Sequence, residues 1–156
     1  MLILLITVSA FGMLFASSPR ASQFVFFEKP EDNKNINDED RIKLIHSDVL
    51  YKRPNDVRAD VLVGHVKLFH KGMYLDCDSA RFYKNDNTFN AYGHVRMVQG
   101  DTLTLTSDTL LYDGVAMQAH AMGNAVLTHR KTRLTTELID YNRIEGVGYY
   151  PRHGIL

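Results

Sequence analysis

Several residue types that would point to a specific chemistry are scarce or missing in this chain of 156 residues. The single cysteine, Cys77, excludes an internal disulfide and a zinc site with four cysteine ligands. Lysine plus arginine and aspartate plus glutamate both number 18, so no basic footprint indicates a nucleic-acid partner. The length fits one domain, and 45% hydrophobic residues is ordinary for a globular protein.

The usual catalytic motifs are missing too. The sequence contains no Gly-x-Ser-x-Gly elbow, no phosphate-binding glycine loop and no His-Glu-x-x-His. A polysaccharide-cleaving enzyme would need paired carboxylates and exposed aromatic side chains, and this chain has no tryptophan. We therefore expect a protein that is not an enzyme and binds neither a metal nor a cofactor.

What the chain does contain is a pattern that returns every 29 or 30 residues. In the first marker an acidic, an apolar and an aromatic residue occupy alternate positions, at Asp78–Phe82, Asp108–Tyr112 and Glu137–Tyr141, with a degenerate copy at Asp48–Lys52. The second marker is Gly64-His65-Val66, Gly93-His94-Val95 and Gly123-Asn124-Ala125. Two markers in one register predict stacked structural units, none of which buries its apolar face alone.

Within each unit the apolar residues alternate with polar ones, as in Val66, Lys67 and Leu68. Alternation with period two in runs rich in Val, Thr and Tyr is typical of half-buried strands. Turn residues separate the runs, and Asp113-Gly114 is a strong hairpin signal. The sequence therefore predicts an all-β fold of eight to ten short strands.

The polar residues of the two markers have structural and chemical interpretations. The repeated acid would be costly if it pointed inward alone, so we expect it at a bend, accepting backbone N–H bonds. A carboxylate stack for metal or catalysis is the less favoured alternative. His65 and His94 are expected to be hydrogen-bonding surface residues, since no known metal-ligand spacing accompanies them.

The chain divides into four predicted regions. Residues 1–21, apolar through Ala16, are expected to be a signal peptide or an uncleaved N-terminal anchor, so that the rest is exported. Residues 22–41 are polar and acidic and predict a flexible linker. Residues 42–150 form the repeat domain, and residues 151–156 are a tail that resembles the middle of a further segment.

The repeat segments resemble a known family. The resemblance is carried by Ile45-His46-Ser47-Asp48, Val63-Gly64-His65-Val66, Cys77-Asp78-Ser79-Ala80, Gly93-His94-Val95, Gln99-Gly100-Asp101-Thr102-Leu103 and Tyr112-Asp113-Gly114. In order and spacing they are similar to the OstA-like family, the N-terminal-type domains of lipopolysaccharide transport, in the version common in the Bacteroidetes. The resemblance implies an open β-jellyroll, two facing antiparallel sheets folded like a taco.

The resemblance also implies a function. It predicts a non-enzymatic periplasmic protein that binds lipopolysaccharide through its lipid A acyl chains and contributes to outer-membrane assembly. Whether it is free, anchored in the inner membrane or associated with the outer membrane is left open. Implied partners are other OstA-type envelope proteins, joined by edge-strand pairing, and further copies of the chain. The alternative is a strand-repeat scaffold of the cell envelope that binds protein and no lipid.

The predicted lipid-groove residues are the inward members of the alternating runs. They are Val66, Leu68, Ala80, Val95, Met97, Leu110, Ala125, Leu127 and Ile139. The same residues would equally form a closed core between the sheets, and the sequence does not separate these two possibilities.

Overall fold

The structure of the protein, a computed structural model, describes residues 36–150. A short 3-10 helix spans Asp38–Asp40. Nine strands follow: β1 Lys43–His46, β2 Val49–Arg53, β3 Asp56–His70, β4 Met73–Tyr83, β5 Thr88–Gln99, β6 Leu103–Asp113, β7 Gln118–His129, β8 Thr132–Asn142 and β9 Val147–Tyr149. Within these residues no helix has the length and apolar character needed to cross a membrane.

All nine strands belong to one antiparallel sheet whose order follows the chain. β3 to β8 form a meander of hairpins, and β9 pairs with the end of β8. β1 and β2 lie end to end along β3, which places both at the same edge of the sheet. The predicted all-β fold of stacked strands is confirmed.

The long strands β3, β5 and β7 each contain a bulge near the middle, at the position of the second marker. Val63 of β3 pairs with Ser79, but Val66 pairs with Cys77, so two residues of β3 oppose the single residue Asp78. Such a bulge bends a strand and increases its twist. Because Gly64-His65, Gly93-His94 and Gly123-Asn124 occupy equivalent positions in β3, β5 and β7, the bends line up across the sheet. We call this line the crease.

The crease corrects one prediction. The alternating runs predict short strands, whereas β3 to β8 have 11 to 15 residues. The alternation restarts at each Gly-His or Gly-Asn pair because the bulge adds one residue, and not because the strand ends there. A repeat unit is therefore one bent hairpin.

The crease divides the sheet into two half-sheets that face each other. Half-sheet I contains residues 43–46, 66–77, 95–107 and 125–136, and half-sheet II contains residues 49–63, 79–92, 109–122 and 138–149. Their inward side chains form one buried hydrophobic cluster. On the side opposite the crease, the hairpin turns of the two half-sheets meet, and we call this side the mouth.

The predicted regions outside the repeat domain fall mostly beyond this description. The predicted signal peptide or anchor at 1–21 and the tail at 151–156 lie outside the described residues, as does the predicted linker up to residue 35. The last linker residues are described, and Asp38–Asp40 form the 3-10 helix that leads into the buried Ile42.

Candidate functional site

The interior between the half-sheets contains two rows of apolar side chains that cross the whole sheet. In half-sheet I the directly paired residues are Leu44, Leu68, Leu75, Met97, Leu105, Leu127 and Leu134. We call these the leucine row. In half-sheet II they are Leu50, Leu62, Ala80, Ala91, Leu110, Ala121 and Ile139, which we call the alanine row. The period-two alternation builds both rows, since every second side chain points to the same face.

The structure brings all nine predicted groove residues into this interior. Leu68, Met97 and Leu127 belong to the leucine row, and Ala80, Leu110 and Ile139 belong to the alanine row, while Val66, Val95 and Ala125 lie between the leucine row and the crease. Eight of the nine are at most 1% exposed, and Leu127 is partly buried. They pack against one another as a core, and contact with lipid stays a prediction.

The interior reaches solvent at the edge formed by β1 and β2. Leu50, the first member of the alanine row, is 51% exposed, and Leu44 at the start of the leucine row is only partly buried. At the opposite end Leu134 and Ile139 are buried. The outer side of the same edge is apolar as well, with Val49 and Tyr51 both exposed. An apolar ligand would therefore meet the open interior at this edge first.

Side-chain pairs along the crease connect the two sequence markers. The Asp78 carboxylate accepts a hydrogen bond from His94 Nδ1 at 2.7 Å, and Asp48 accepts one from His65 at the same distance. In the third unit the Asn124 amide donates to Asp108, also at 2.7 Å. Each of these three acids thus binds the polar residue that follows the glycine of the next unit along the sheet.

These pairs correct the role predicted for the acids. The acids do lie at a bend, but their carboxylates accept bonds from imidazole and amide side chains instead of backbone N–H groups. The degenerate copy at Asp48 takes the same part as the others. The sequence contains a signal for this pairing, because the acid of the first marker precedes the polar residue of the second marker by about sixteen residues in each unit. The surface hydrogen-bonding role predicted for His65 and His94 is what the structure has.

The ionisation of the crease groups follows from these bonds. The His94 pKa is raised by its bond to Asp78 and by that charge. The Asp48 pKa is lowered, first by the bond from His65 and then by the bond from His46. Both effects favour the charged forms, so the crease carries ion pairs when its histidines are protonated.

The mouth contains a buried polar cluster inside an otherwise apolar interior. His70, at the end of β3, is fully buried, and Arg143, in the turn between β8 and β9, is 8% exposed. Arg143 Nη1 donates to the Tyr112 hydroxyl, and that hydroxyl lies 2.8 Å from His70 Nδ1. Arg143 also donates from Nε to Gln99 Oε1 at 2.9 Å and from Nη2 to the Lys71 carbonyl at 2.9 Å.

The segment Asp38–Ile42 joins this cluster and crosses the mouth. The Asp40 carbonyl accepts bonds from His70 Nε2 and from Asn87 Nδ2, both at 3.0 Å. The Ile42 amide donates to Asn87 Oδ1 at 2.7 Å, and the Asp40 carboxylate pairs with Lys71 at 2.6 Å. Because Asn87 belongs to half-sheet II and Lys71 to half-sheet I, the segment is bonded to both.

Burial controls the protonation of the interior groups. Burial lowers the pKa of His70, and the charges of Arg143 and Lys71 act in the same direction, against the hydrogen bond to the Asp40 carbonyl. Burial also raises the pKa of Cys77 to about 12, which keeps it a thiol rather than a reactive thiolate. The interior is thus held neutral except for the hydrogen-bonded Arg143.

The outer face carries polar groups but no metal-ligand cluster among residues 36–150. A cavity of about 440 Å³ lies on the outer face of half-sheet II, where His120 bonds to Asp140 beside Asn90 and Leu111. A second cavity, of about 350 Å³, lies along the crease between His65 and His94. Neither brings together the predicted groove residues, which share the interior instead.

Comparison with known proteins agrees with this architecture. The model of the family described as OstA-like protein matches residues 39–156, most of the chain. Among solved structures, the chain is similar to LptH, described as the LptA-homologous periplasmic component of the lipopolysaccharide transport device of Pseudomonas aeruginosa. The TM-score is 0.64 at 14% identity, and the match covers 74% of this chain and 86% of that one. No curated protein matches the chain. At this identity the structural likeness shows a shared fold, and it confirms the predicted open jellyroll.

Proposed function

The chain belongs to the OstA-like protein family, as its sequence markers predicted, and on that premise we propose that it binds and transports lipopolysaccharide in the periplasm. In this proposal the acyl chains lie between the two half-sheets and contact the leucine and alanine rows. The protein carries out no reaction, and it contributes to outer-membrane assembly by moving its ligand.

One observation carries the proposal: two apolar rows run uninterrupted across the sheet, and at the edge formed by β1 and β2 they end at the exposed Leu50 and the partly buried Leu44. A lipid chain entering there would exchange water for apolar side chains along its whole length. Each buried methylene contributes about 0.8 kcal/mol, so about ten methylenes would contribute roughly 8 kcal/mol. The polar bonds across the mouth contribute about 1 kcal/mol each, so lipid burial is large enough to offset several of them.

The edge strands support the proposed partners. β1 and β2 lie at one edge of the sheet, and the side chains of Ile45, Val49 and Tyr51 on them are exposed. An exposed apolar edge strand pairs readily with a strand of another chain. We propose that this edge joins other OstA-type envelope proteins or a second copy of the chain, so that their interiors become continuous.

Photo-crosslinking tests the lipid contact. A photoreactive side chain at Leu110, on the alanine row, or at Val95, in the opposite half-sheet, should capture lipopolysaccharide in cells. Leu111 is the matched control, because it neighbours Leu110 on β6 but lies on the outer face and is 37% exposed. We expect lipid adducts at Leu110 and Val95 and none at Leu111. Adducts with protein alone at the interior positions would favour the scaffold function instead.

A further inference from the structure

The polar cluster at the mouth has a feature that a core does not require: its bonds connect parts of the chain that belong to opposite half-sheets. Tyr112, in half-sheet II, bonds to His70, in half-sheet I. Arg143, in the β8–β9 turn of half-sheet II, bonds to Gln99 and to the Lys71 carbonyl of half-sheet I. The side chains between the half-sheets otherwise contact one another through apolar packing, which is a non-directional interaction.

The donors and acceptors of this cluster form one directed chain. The Asp40 carbonyl can only accept, so His70 Nε2 must carry a proton and donate to it. The other nitrogen of a neutral His70 is then an acceptor, and the Tyr112 hydroxyl donates to it. The Tyr112 oxygen in turn accepts from Arg143. Arg143 Nη1 also lies 3.4 Å from His70 Nδ1, so the three side chains contact one another. Buried groups that lose a partner cost about 1–3 kcal/mol.

This chain has to be disrupted if the half-sheets move apart at the mouth. Opening would separate Tyr112 from His70 and Arg143 from Gln99, whereas the crease bonds between Asp78 and His94 would stay intact as the hinge. The segment Asp38–Ile42 would also have to release either Asn87 or Lys71. The closed position is therefore fixed by a few specific polar bonds.

We propose that Arg143, Tyr112 and His70, together with the segment Asp38–Ile42, form a latch that closes the mouth. The latch must open, so that the packed half-sheets separate, before a lipid chain that arrives at the Leu50 edge enters the interior between them. The inference rests on the proposed function for its lipid part, but the closing of the mouth can be measured without any lipid. The latch confines the ligand once it closes again, and it keeps the apolar rows from water when no ligand is bound.

The substitution Tyr112→Phe tests the latch with the smallest change. It removes the hydroxyl in the middle of the chain and leaves the ring stacked on Phe89, with centroids 5.1 Å apart. Tyr141→Phe is the matched control. Tyr141 lies on β8 and is 3% exposed, and its hydroxyl has no hydrogen bond among residues 36–150. Arg143→Met is a second variant that removes every bond donated by the guanidinium.

Opening is measured as the labelling rate of a lone interior thiol, without lipid. Met97→Cys in a Cys77→Ala background places that thiol on the leucine row, where Met97 is fully buried. Tyr112→Phe should raise the labelling rate by a maleimide reagent about tenfold, and Tyr141→Phe should change it by less than about twofold. The urea dependence of labelling separates mouth opening from global unfolding, because global unfolding exposes far more surface.

The same variants are then given purified lipopolysaccharide, with the photoreactive side chain at Val95. Faster labelling together with faster lipid capture supports the latch. Labelling at the wild-type rate in both Tyr112→Phe and Arg143→Met overturns it. Faster labelling with lipid capture at the wild-type rate shows that the mouth closes but does not control lipid entry. That result overturns the claim that the latch must open before a lipid chain enters. Faster labelling with no lipid capture in any variant overturns the proposed function, while the mouth closure itself is supported.

Discussion

The crease depends on glycine at the second marker, and the substitution Gly93→Ala tests how. Gly93 has φ +75°, a left-handed conformation that costs a residue with a side chain roughly 1–2 kcal/mol. Gly72, in the turn between β3 and β4, has nearly the same φ, +76°. A Cβ at Gly72 would have nothing within 4 Å, so Gly72→Ala measures the backbone cost alone.

At Gly93 the new methyl group would also collide with the carboxylate of the crease pair. An ideal Cβ there would lie 2.3 Å from Asp78 Oδ2 and 3.0 Å from the Asp78 Cβ. Asp78 would have to move, losing its bond to the exposed His94, and the overpacking would cost about 1–3 kcal/mol. We expect Gly93→Ala to lower the free energy of unfolding by about 2–5 kcal/mol, against about 1–2 kcal/mol for Gly72→Ala.

Equilibrium unfolding in urea measures both losses. The double variant Asp78→Ala, Gly93→Ala removes the colliding oxygen, so it should recover most of the overpacking cost and show a clear coupling energy between the two positions. If Gly93→Ala costs no more than Gly72→Ala, or if the double variant recovers nothing, the packing of acid on glycine does not explain the repeat.

Two further predictions concern the edge and the interior. Val49→Lys should weaken self-association in sedimentation experiments, because a lysine on an edge strand opposes pairing. Leu111→Lys, away from the edge on β6, should leave self-association unchanged. A wild-type protein that is monomeric at high concentration would contradict pairing between two copies of this chain. The pKa of His70 is lowered in the folded protein, so the unfolded chain binds a proton more readily than the folded one. The free energy of unfolding is therefore retained above the ordinary histidine pKa of about 6.5, and it falls as the pH drops below that value towards the folded pKa. His70→Gln should lose stability less steeply than the wild type between about pH 7 and pH 5. His94 has a raised pKa and the opposite effect on stability, but it contributes equally to both proteins. Equal slopes of stability against pH would show that His70 is not held neutral by burial.

The interior could be predicted from the sequence because alternation is a local property. Val95 and Met97 flank Arg96, and that pattern alone decides which side chains share a face. The bulge at Gly93-His94 was not predicted as a bulge, since one extra residue looks the same in a sequence as the start of a new strand. Only the pairing of β4 with β5 shows that both parts belong to one strand.

The latch could not be predicted from the sequence for a different reason. His70, Tyr112 and Arg143 are 31 to 73 residues apart, and none of their contacts recurs in another unit. Repetition identifies what each unit does, such as the pairing of Asp78 with His94. It cannot identify contacts made once, across the mouth, by residues that come together only after the sheet has folded along its crease.

The repeat itself sets how long a ligand the interior can hold. Neighbouring strands lie about 4.8 Å apart, so the six intervals from β1 or β2 to β8 give rows roughly 29 Å long. The acyl chains of one leaflet span about 15 Å, half of a bilayer's hydrocarbon thickness. An acyl chain lying along the rows would therefore be covered over its whole length with strands to spare. Because a slip of one residue would turn an apolar row to the outer face, the bonds of Asp48 with His65 and Asp78 with His94 keep the rows continuous from unit to unit. The crease pairs thus preserve the length of the interior, and the latch controls access to it.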